Sequence, residues 1–230
     1  MALSTENLVE STGGGLSKTM KPGNVTAKIN SIVLEDFKFI PDAVHVVLNL
    51  ETSPIEGFEG FAIDKDNPAL GYYKGQVGRV QASQYAYADG TTKSGIEIKR
   101  DNNVLILLKK VCTALGKENW FASQNNKHNT IHEFIDAFNR DKVAQDVFLD
   151  FCIAGKEYEN KSGYIAHNLF LPKTTQGSYA FAAVDSKKVL NFNEDEHIVK
   201  LTKVVAKPVD SFGDDTPLSG SDFDLDDLPY

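Results

Sequence analysis

The sequence predicts a mainly β domain with a helical insert, and three observations support this fold class. Apolar and polar residues alternate, as they do in half-buried strands, over residues 24–34, 44–50 and 77–88. After Asp101 the apolar spacing changes to the period of an amphipathic helix. Alternation then returns over residues 147–154 and 164–171, which predicts two strands joined as a long hairpin across residues 155–163.

Both helices of the insert have a recognisable start, and the first also has a recognisable end. Asp101 can cap the first helix, and Gly116 is a suitable stop for it. Thr130 and Glu133 have the spacing of a capping box, which predicts the start of a second helix. Shorter or weaker strands are predicted at residues 57–63, 179–184 and 197–205.

Three or four strands, a helical segment and a hairpin form the element order of an OB-fold. This fold is a five-stranded Greek-key barrel, with its helix between the third and fourth strands, and the helical segment here is larger than usual. Other α+β folds share the same order. We therefore predict an OB-fold-like domain at residues 23–207, a flexible glycine-containing arm at residues 1–22 and a disordered tail at residues 208–230.

Composition limits the class of protein further. The 230 residues are 41% hydrophobic, which is enough for a substantial core, and no apolar run is long enough for a transmembrane helix. The N-terminus does not have the features of a signal peptide. Cys112 and Cys152 lie among apolar neighbours and are predicted to be buried free thiols, as expected in the cytoplasm.

The net charge of −8 is concentrated in the tail. Residues 209–230 contain seven aspartates and no Lys or Arg, so that the rest of the chain has 24 basic and 25 acidic residues. The body is therefore close to neutral, and the acidic total does not exclude a nucleic-acid partner.

No catalytic constellation, metal site or cofactor is predicted. The glycines at residues 13–15 do not have the spacing of a phosphate-binding loop, and cysteine and histidine do not have zinc-site spacing. Asp64 and Asp66 could in principle hold a metal, as in a nuclease, but a surface loop also explains them. We expect a binding protein and not an enzyme.

The chain ends in an acidic run, apolar residues and a terminal aromatic. The residues concerned are Asp222, Phe223, Asp224, Asp226, Asp227, Leu228, Pro229 and Tyr230. This ending resembles the tail of the bacterial single-stranded-DNA-binding protein family, whose usual last residue is Phe and not Tyr. The chain length, enlarged helical insert and short tail linker are more similar to phage-encoded members.

The resemblance implies an OB-fold that coats single-stranded DNA in replication, recombination and repair, in a bacterial or phage-infected cytoplasm. It also implies that the tail recruits a polymerase, helicase-primase or nuclease. An adaptor or inhibitor that uses the same tail without binding DNA is an alternative. A homo-oligomer is compatible with the resemblance.

Single-strand binding needs aromatic faces for the bases and Lys or Arg for the phosphates. If Val80 and Ala86 face the core, alternation places Arg79, Tyr85 and Tyr87 together on the outer face of one strand. An ordinary solvated face is the alternative interpretation.

Further candidates lie in loops and on the hairpin. They are Tyr72, Tyr73 and Lys74 in a glycine-bounded loop, Lys156, Tyr158, Lys161 and Tyr164 on the hairpin, Phe170 on the following strand, and Trp120 between the helices. Tyr72 and Tyr73 could instead pack on the barrel. Phe170 and Trp120 are more often core residues than stacking platforms.

Overall fold

The computed structural model describes residues 18–56, 58, 61–62, 72–174 and 178–201, with only the backbone at 61–62 and 72–73. Residues 1–17 of the predicted arm, the loop aspartates Asp64 and Asp66, and the tail lie outside these residues. Among the described helices, none is long and apolar enough to cross a membrane.

The described chain is mainly β with a few helices. Its strands are β1 (Gly23–Asp36), β2 (Val44–Thr52), β3 (Phe61–Ala62), β4 (Tyr72–Tyr73), β5 (Val77–Gln81), β6 (Gly90–Thr91), β7 (Glu97–Ile98), β8 (Phe148–Glu159), β9 (Ile165–Phe170), β10 (Phe181–Ala183) and β11 (Ile198–Val199). Its helices are α1 (Arg100–Ala114), α2 (Glu118–Ser123), α3 (Ile131–Arg140) and α4 (Glu194–His197).

Among the described residues, seven strands form one strongly curved, nearly closed sheet, in which β10 and β11 pair with β8 and the other five strands form a ring. β1 pairs with β2, β2 with β5, β5 with β9, β9 with β8, and β8 with β1, so the pairings run in a ring. All these pairings are antiparallel except β5–β9, which is parallel. The helices α1, α2 and α3 all lie between β5 and β8 in the chain.

The ring is weakest between β5 and β9, which pair only at Val80–Leu169 and Gln81–Phe170. Residues 18–22 pack across this seam: Thr19 forms a parallel bridge with Val77, and Met20 is only 3% exposed. A Cβ on Gly78 would lie 2.9 Å from Met20 Cβ, so the glycine gives Met20 its space. The last five residues of the predicted flexible arm are thus packed on the sheet, because Met20 fills an apolar gap.

The core joins the inner face of the sheet to the helices. Phe151 and Leu48 from the strands and Leu108 and Phe138 from α1 and α3 are at most 1% exposed and belong to one cluster. Val46, Leu48 and Leu50 alternate with His45, Val47 and Asn49, so the second set defines the outer face of β2.

The predicted helix ends are partly confirmed. The Thr130 hydroxyl accepts a hydrogen bond from Glu133 N–H, as the capping box predicts. Gly116 has a positive φ of 67° and follows the end of α1. The prediction for Asp101 is wrong: Lys99 is the N-cap, and Asp101 lies in the first turn, where its carboxylate pairs with Arg100.

Several strand boundaries differ from those predicted. β5 ends at Gln81 and does not continue to residue 88. β8 runs to Glu159, so residues 155–159 are strand and the hairpin loop is short. α2 was not predicted, because its Trp120 and Phe121 do not by themselves show a helical period.

Candidate nucleic-acid interface

A groove of about 530 Å³ crosses the outer face of the sheet. Side chains from β1, β2, β5 and β9 line it, among them Asn30, Val47, Asn49, Gln81 and Asn168. Much of this lining is neutral and polar, so it offers hydrogen bonds without a strong charge of its own.

Arg79 lies on the outer face, as predicted, and its guanidinium pairs with the Glu35 carboxylate. Arg79 is opposite Asn49 on β2, while Glu35 is opposite His45, so the pair spans β2 above Val47. This position explains why Val47 is only 2% exposed although it is on the outer face. The positive charge of Arg79 is therefore balanced within the groove.

The β8–β9 hairpin extends this face with aromatic and basic side chains. Lys156 is opposite Asn168, and Tyr158 is opposite Ala166, so both point to the same side as the groove. Lys156 is exposed and Tyr158 is 40% exposed. Alternation places Tyr164 on the same face, two residues before Ala166, and it is 72% exposed.

Lys161 is exposed in the turn between these two strands. The Asn160 side-chain oxygen accepts hydrogen bonds from Ser162 and Tyr164 N–H, and Gly163 has a φ of 79°, so the turn has a defined shape. Among the described residues, Lys156 and Lys161 form no ion pair. Both ammonium groups are available to an anionic ligand.

The loop over residues 37–43 supplies aromatic residues that were not among the predicted candidates. Phe39 is 85% exposed. Its ring packs edge-to-face on that of Phe37, with the ring centroids 5.4 Å apart. The Phe37 ring packs in the same way on His45, with the centroids 5.1 Å apart, so the three rings connect the loop to the outer face of β2. Burial lowers the pKa of His45, and its Nδ1 has no hydrogen-bond partner among the described groups. The sequence signal that could have identified these rings is Phe37-Lys38-Phe39, where two phenylalanines flank a lysine between two predicted strands.

Tyr85 and Tyr87, which were predicted on the same strand face as Arg79, lie beyond the end of β5. Tyr85 remains 39% exposed and lines a second cavity beside the groove. Tyr87 is not on the outer face: it is 7% exposed in the core, and burial raises the pKa of its phenol well above the ordinary range. The chain leaves the sheet after Gln81 and returns at a bridge between Tyr87 and Val44, which resets the alternation.

Two further predicted aromatics are mostly buried. Phe170 is on the outer side of β9 but only 6% exposed, and it lines the same cavity as Tyr85. Trp120 packs edge-to-face on Phe134 and Phe138, and its indole N–H donates to the Asp141 carboxylate at 3.1 Å. These contacts give Trp120 a structural role in joining α2 to α3.

The structure describes only some of the remaining predicted site residues. Lys74 is exposed next to β4, while the side chains of Tyr72 and Tyr73 lie outside the described residues. The predicted partner-binding residues 222–230 also lie outside them.

The two cysteines are buried free thiols as predicted, and burial raises the pKa of Cys112 to about 12 and that of Cys152 to about 11. Neither is an activated nucleophile.

No protein-family model, curated protein or solved structure matches this chain. Only the chemistry and placement of its own side chains therefore identify this surface as a candidate interface.

Proposed function

We propose that this protein binds single-stranded DNA without sequence preference, on the outer face of an OB-fold barrel. The ring of strand pairings and the position of the helices between the third and fourth strands of that ring support the OB-fold. OB-folds bind oligonucleotides across the face of their second and third strands and with the flanking loops. Here those strands are β2 and β5.

The observation that carries the proposal is the hairpin that borders the groove. It presents two exposed tyrosines, Tyr158 and Tyr164, beside two exposed lysines, Lys156 and Lys161. Tyrosine rings can stack on any base, and lysines attract phosphate without reading sequence. Phe39, on the loop between β1 and β2, adds an exposed ring near the outer face of β2.

Titration of fluorescent oligo-dT and a duplex of equal length tests the function directly. We expect tight binding of oligo-dT, weak binding of duplex, and an affinity that falls as salt rises because lysine contacts release counterions. The absence of oligo-dT binding at low salt would contradict the proposal and favour a tail-bearing adaptor.

Because Glu35 pairs with Arg79, we predict that removing the charge of Glu35 raises the affinity for oligo-dT. Glu35→Gln should tighten oligo-dT binding several-fold at low salt, because it frees Arg79 for phosphate and removes a negative charge from the groove. Stability should change little, since exposed pairs contribute about 0–1 kcal/mol. Glu97→Gln is the matched control: Glu97 pairs with Lys99 on the surface and lines neither the groove nor the cavity beside it. Unchanged affinity in Glu35→Gln would remove Arg79 from the interface.

We further propose that the acidic tail recruits partner proteins. Leu228, Pro229 and Tyr230 would supply an apolar anchor, while the aspartates steer the tail to a basic surface. The support is the sequence itself, because a purely solubilising tail has no need of apolar residues beside its aspartates.

The same tail is expected to compete with DNA for the cationic residues of the interface. Deletion of residues 209–230 removes seven aspartates and should tighten oligo-dT binding at low salt, with the difference disappearing as salt screens the charges. Equilibrium titration of both proteins at two salt concentrations measures this. Equal affinities at low salt would contradict self-competition.

A further inference from the structure

The cavity lined by Tyr85 is a second candidate site. It has a volume of about 180 Å³ and lies between α1, residues 82–87 after β5, and residues 170–174 and 179–181. We call it the α1 cleft; its exposed lining residues are Tyr85, Ile106, Lys110, Lys173, Thr174 and Tyr179. Gln81 and Leu169 line the groove, and the residues that follow them, Ala82 and Phe170, line the cleft, so the two sites meet where the pairing of β5 with β9 ends.

The α1 cleft has the chemistry of a single-strand subsite. Tyr85 and Tyr179 are 39% and 41% exposed, and buried Phe170 adds an apolar wall. Lys110 and Lys173 are exposed, and no Asp or Glu is among the described residues that line the cleft. The groove differs, because Glu35 there balances Arg79. The cleft therefore offers uncompensated positive charge next to aromatic rings.

We propose that the DNA strand bound on the outer face continues past Gln81 into the α1 cleft. There a base stacks on Tyr85 or Tyr179, and Lys110 and Lys173 contact the flanking phosphates. This inference rests on the proposed function and extends it, because it assigns part of the binding site to the enlarged helical insert through α1. The barrel face alone would then bind a short oligonucleotide, and the cleft would add affinity only for a longer one.

The test uses the full-length protein and oligo-dT of two lengths, about 5 and about 15 nucleotides, within the range of site sizes known for OB-folds. Tyr179→Ala and Lys110→Glu should each weaken binding of the longer oligonucleotide by about tenfold or more and leave the shorter one unchanged. Tyr179→Phe, which keeps the ring, should bind like the wild type. Thermal unfolding of each variant checks that the fold is intact.

Lys109→Glu is the matched charge control, since Lys109 is the exposed neighbour of Lys110 on α1 but does not line the cleft. An equal loss in Lys109→Glu and Lys110→Glu would overturn the inference, as would an equal loss for both oligonucleotide lengths or no loss at all. Failure of the wild-type protein to bind either length would overturn the proposed function and this inference together.

The acidic tail is the competing occupant, and a labelled peptide of residues 222–230 distinguishes it. If Lys110→Glu abolishes binding of this peptide while the longer oligonucleotide still binds normally, the cleft takes the tail and the inference is wrong. The expected result is the reverse, with loss of oligonucleotide binding in the variant.

Discussion

Replacing Tyr158 and Tyr164 together with alanine is expected to weaken oligo-dT binding by about a hundredfold. Stacking on an aromatic ring contributes roughly 1–3 kcal/mol per base, so the loss of two rings costs about 2–6 kcal/mol, a range that starts near thirtyfold and includes the hundredfold loss expected here. Both rings are exposed on the hairpin and neither belongs to the core cluster, so the fold should be unaffected. Fluorescence titration at fixed salt measures the loss.

The salt dependence separates stacking from phosphate binding on the same hairpin. The tyrosine double variant should bind more weakly at every salt concentration, with an unchanged slope of log affinity against log salt. Lys156→Ala with Lys161→Ala should instead reduce the slope, by about 0.7 for each phosphate that a lysine no longer neutralises. Phe at both tyrosine positions is the control that keeps the rings and should retain affinity. A tyrosine double variant that binds like wild type would exclude the hairpin as a stacking platform.

Asn139→Ala is expected to destabilise the protein by about 2–4 kcal/mol. The Asn139 side chain, on α3, accepts a hydrogen bond from Ile32 N–H at 3.0 Å and donates one to the Ile32 carbonyl at 2.7 Å. The pairing of β1 with β8 ends at Lys28, so Ile32 has no strand neighbour on that side. The alanine variant would leave both backbone groups of a fully buried residue without partners. Urea or thermal unfolding measures the change.

Asn30→Ala is the matched control for this prediction. Asn30 is an exposed asparagine on β1 whose amide donates only to the Glu51 side chain, so its loss should cost no more than about 0.5 kcal/mol. Asn139→Asp keeps the acceptor and loses the donor, and should give an intermediate loss. If Asn139→Ala and Asn30→Ala unfold at the same urea concentration, the side chain does not complete the edge of β1.

Local sequence determined the elements whose stabilising contacts are themselves local. Alternation over residues 44–50 assigned Val46 and Leu48 to the core correctly, because one strand keeps one period. The capping box at Thr130 was readable since both its residues lie within four positions. The acidity of the tail is a matter of composition alone, and it separates the charge of the tail from that of the body.

Tertiary structure decided which candidates share a surface. Tyr87 left the predicted outer face because β5 ends at Gln81 and the chain returns to the sheet beside Val44. Arg79 kept its predicted face, but its partner Glu35 comes from a strand two positions away in the sheet, which no local pattern reveals. The same holds for Met20, whose burial depends on the seam between β5 and β9. Alternation predicts a face only while a strand lasts, whereas strand ends and contacts between strands depend on packing between residues far apart in the chain.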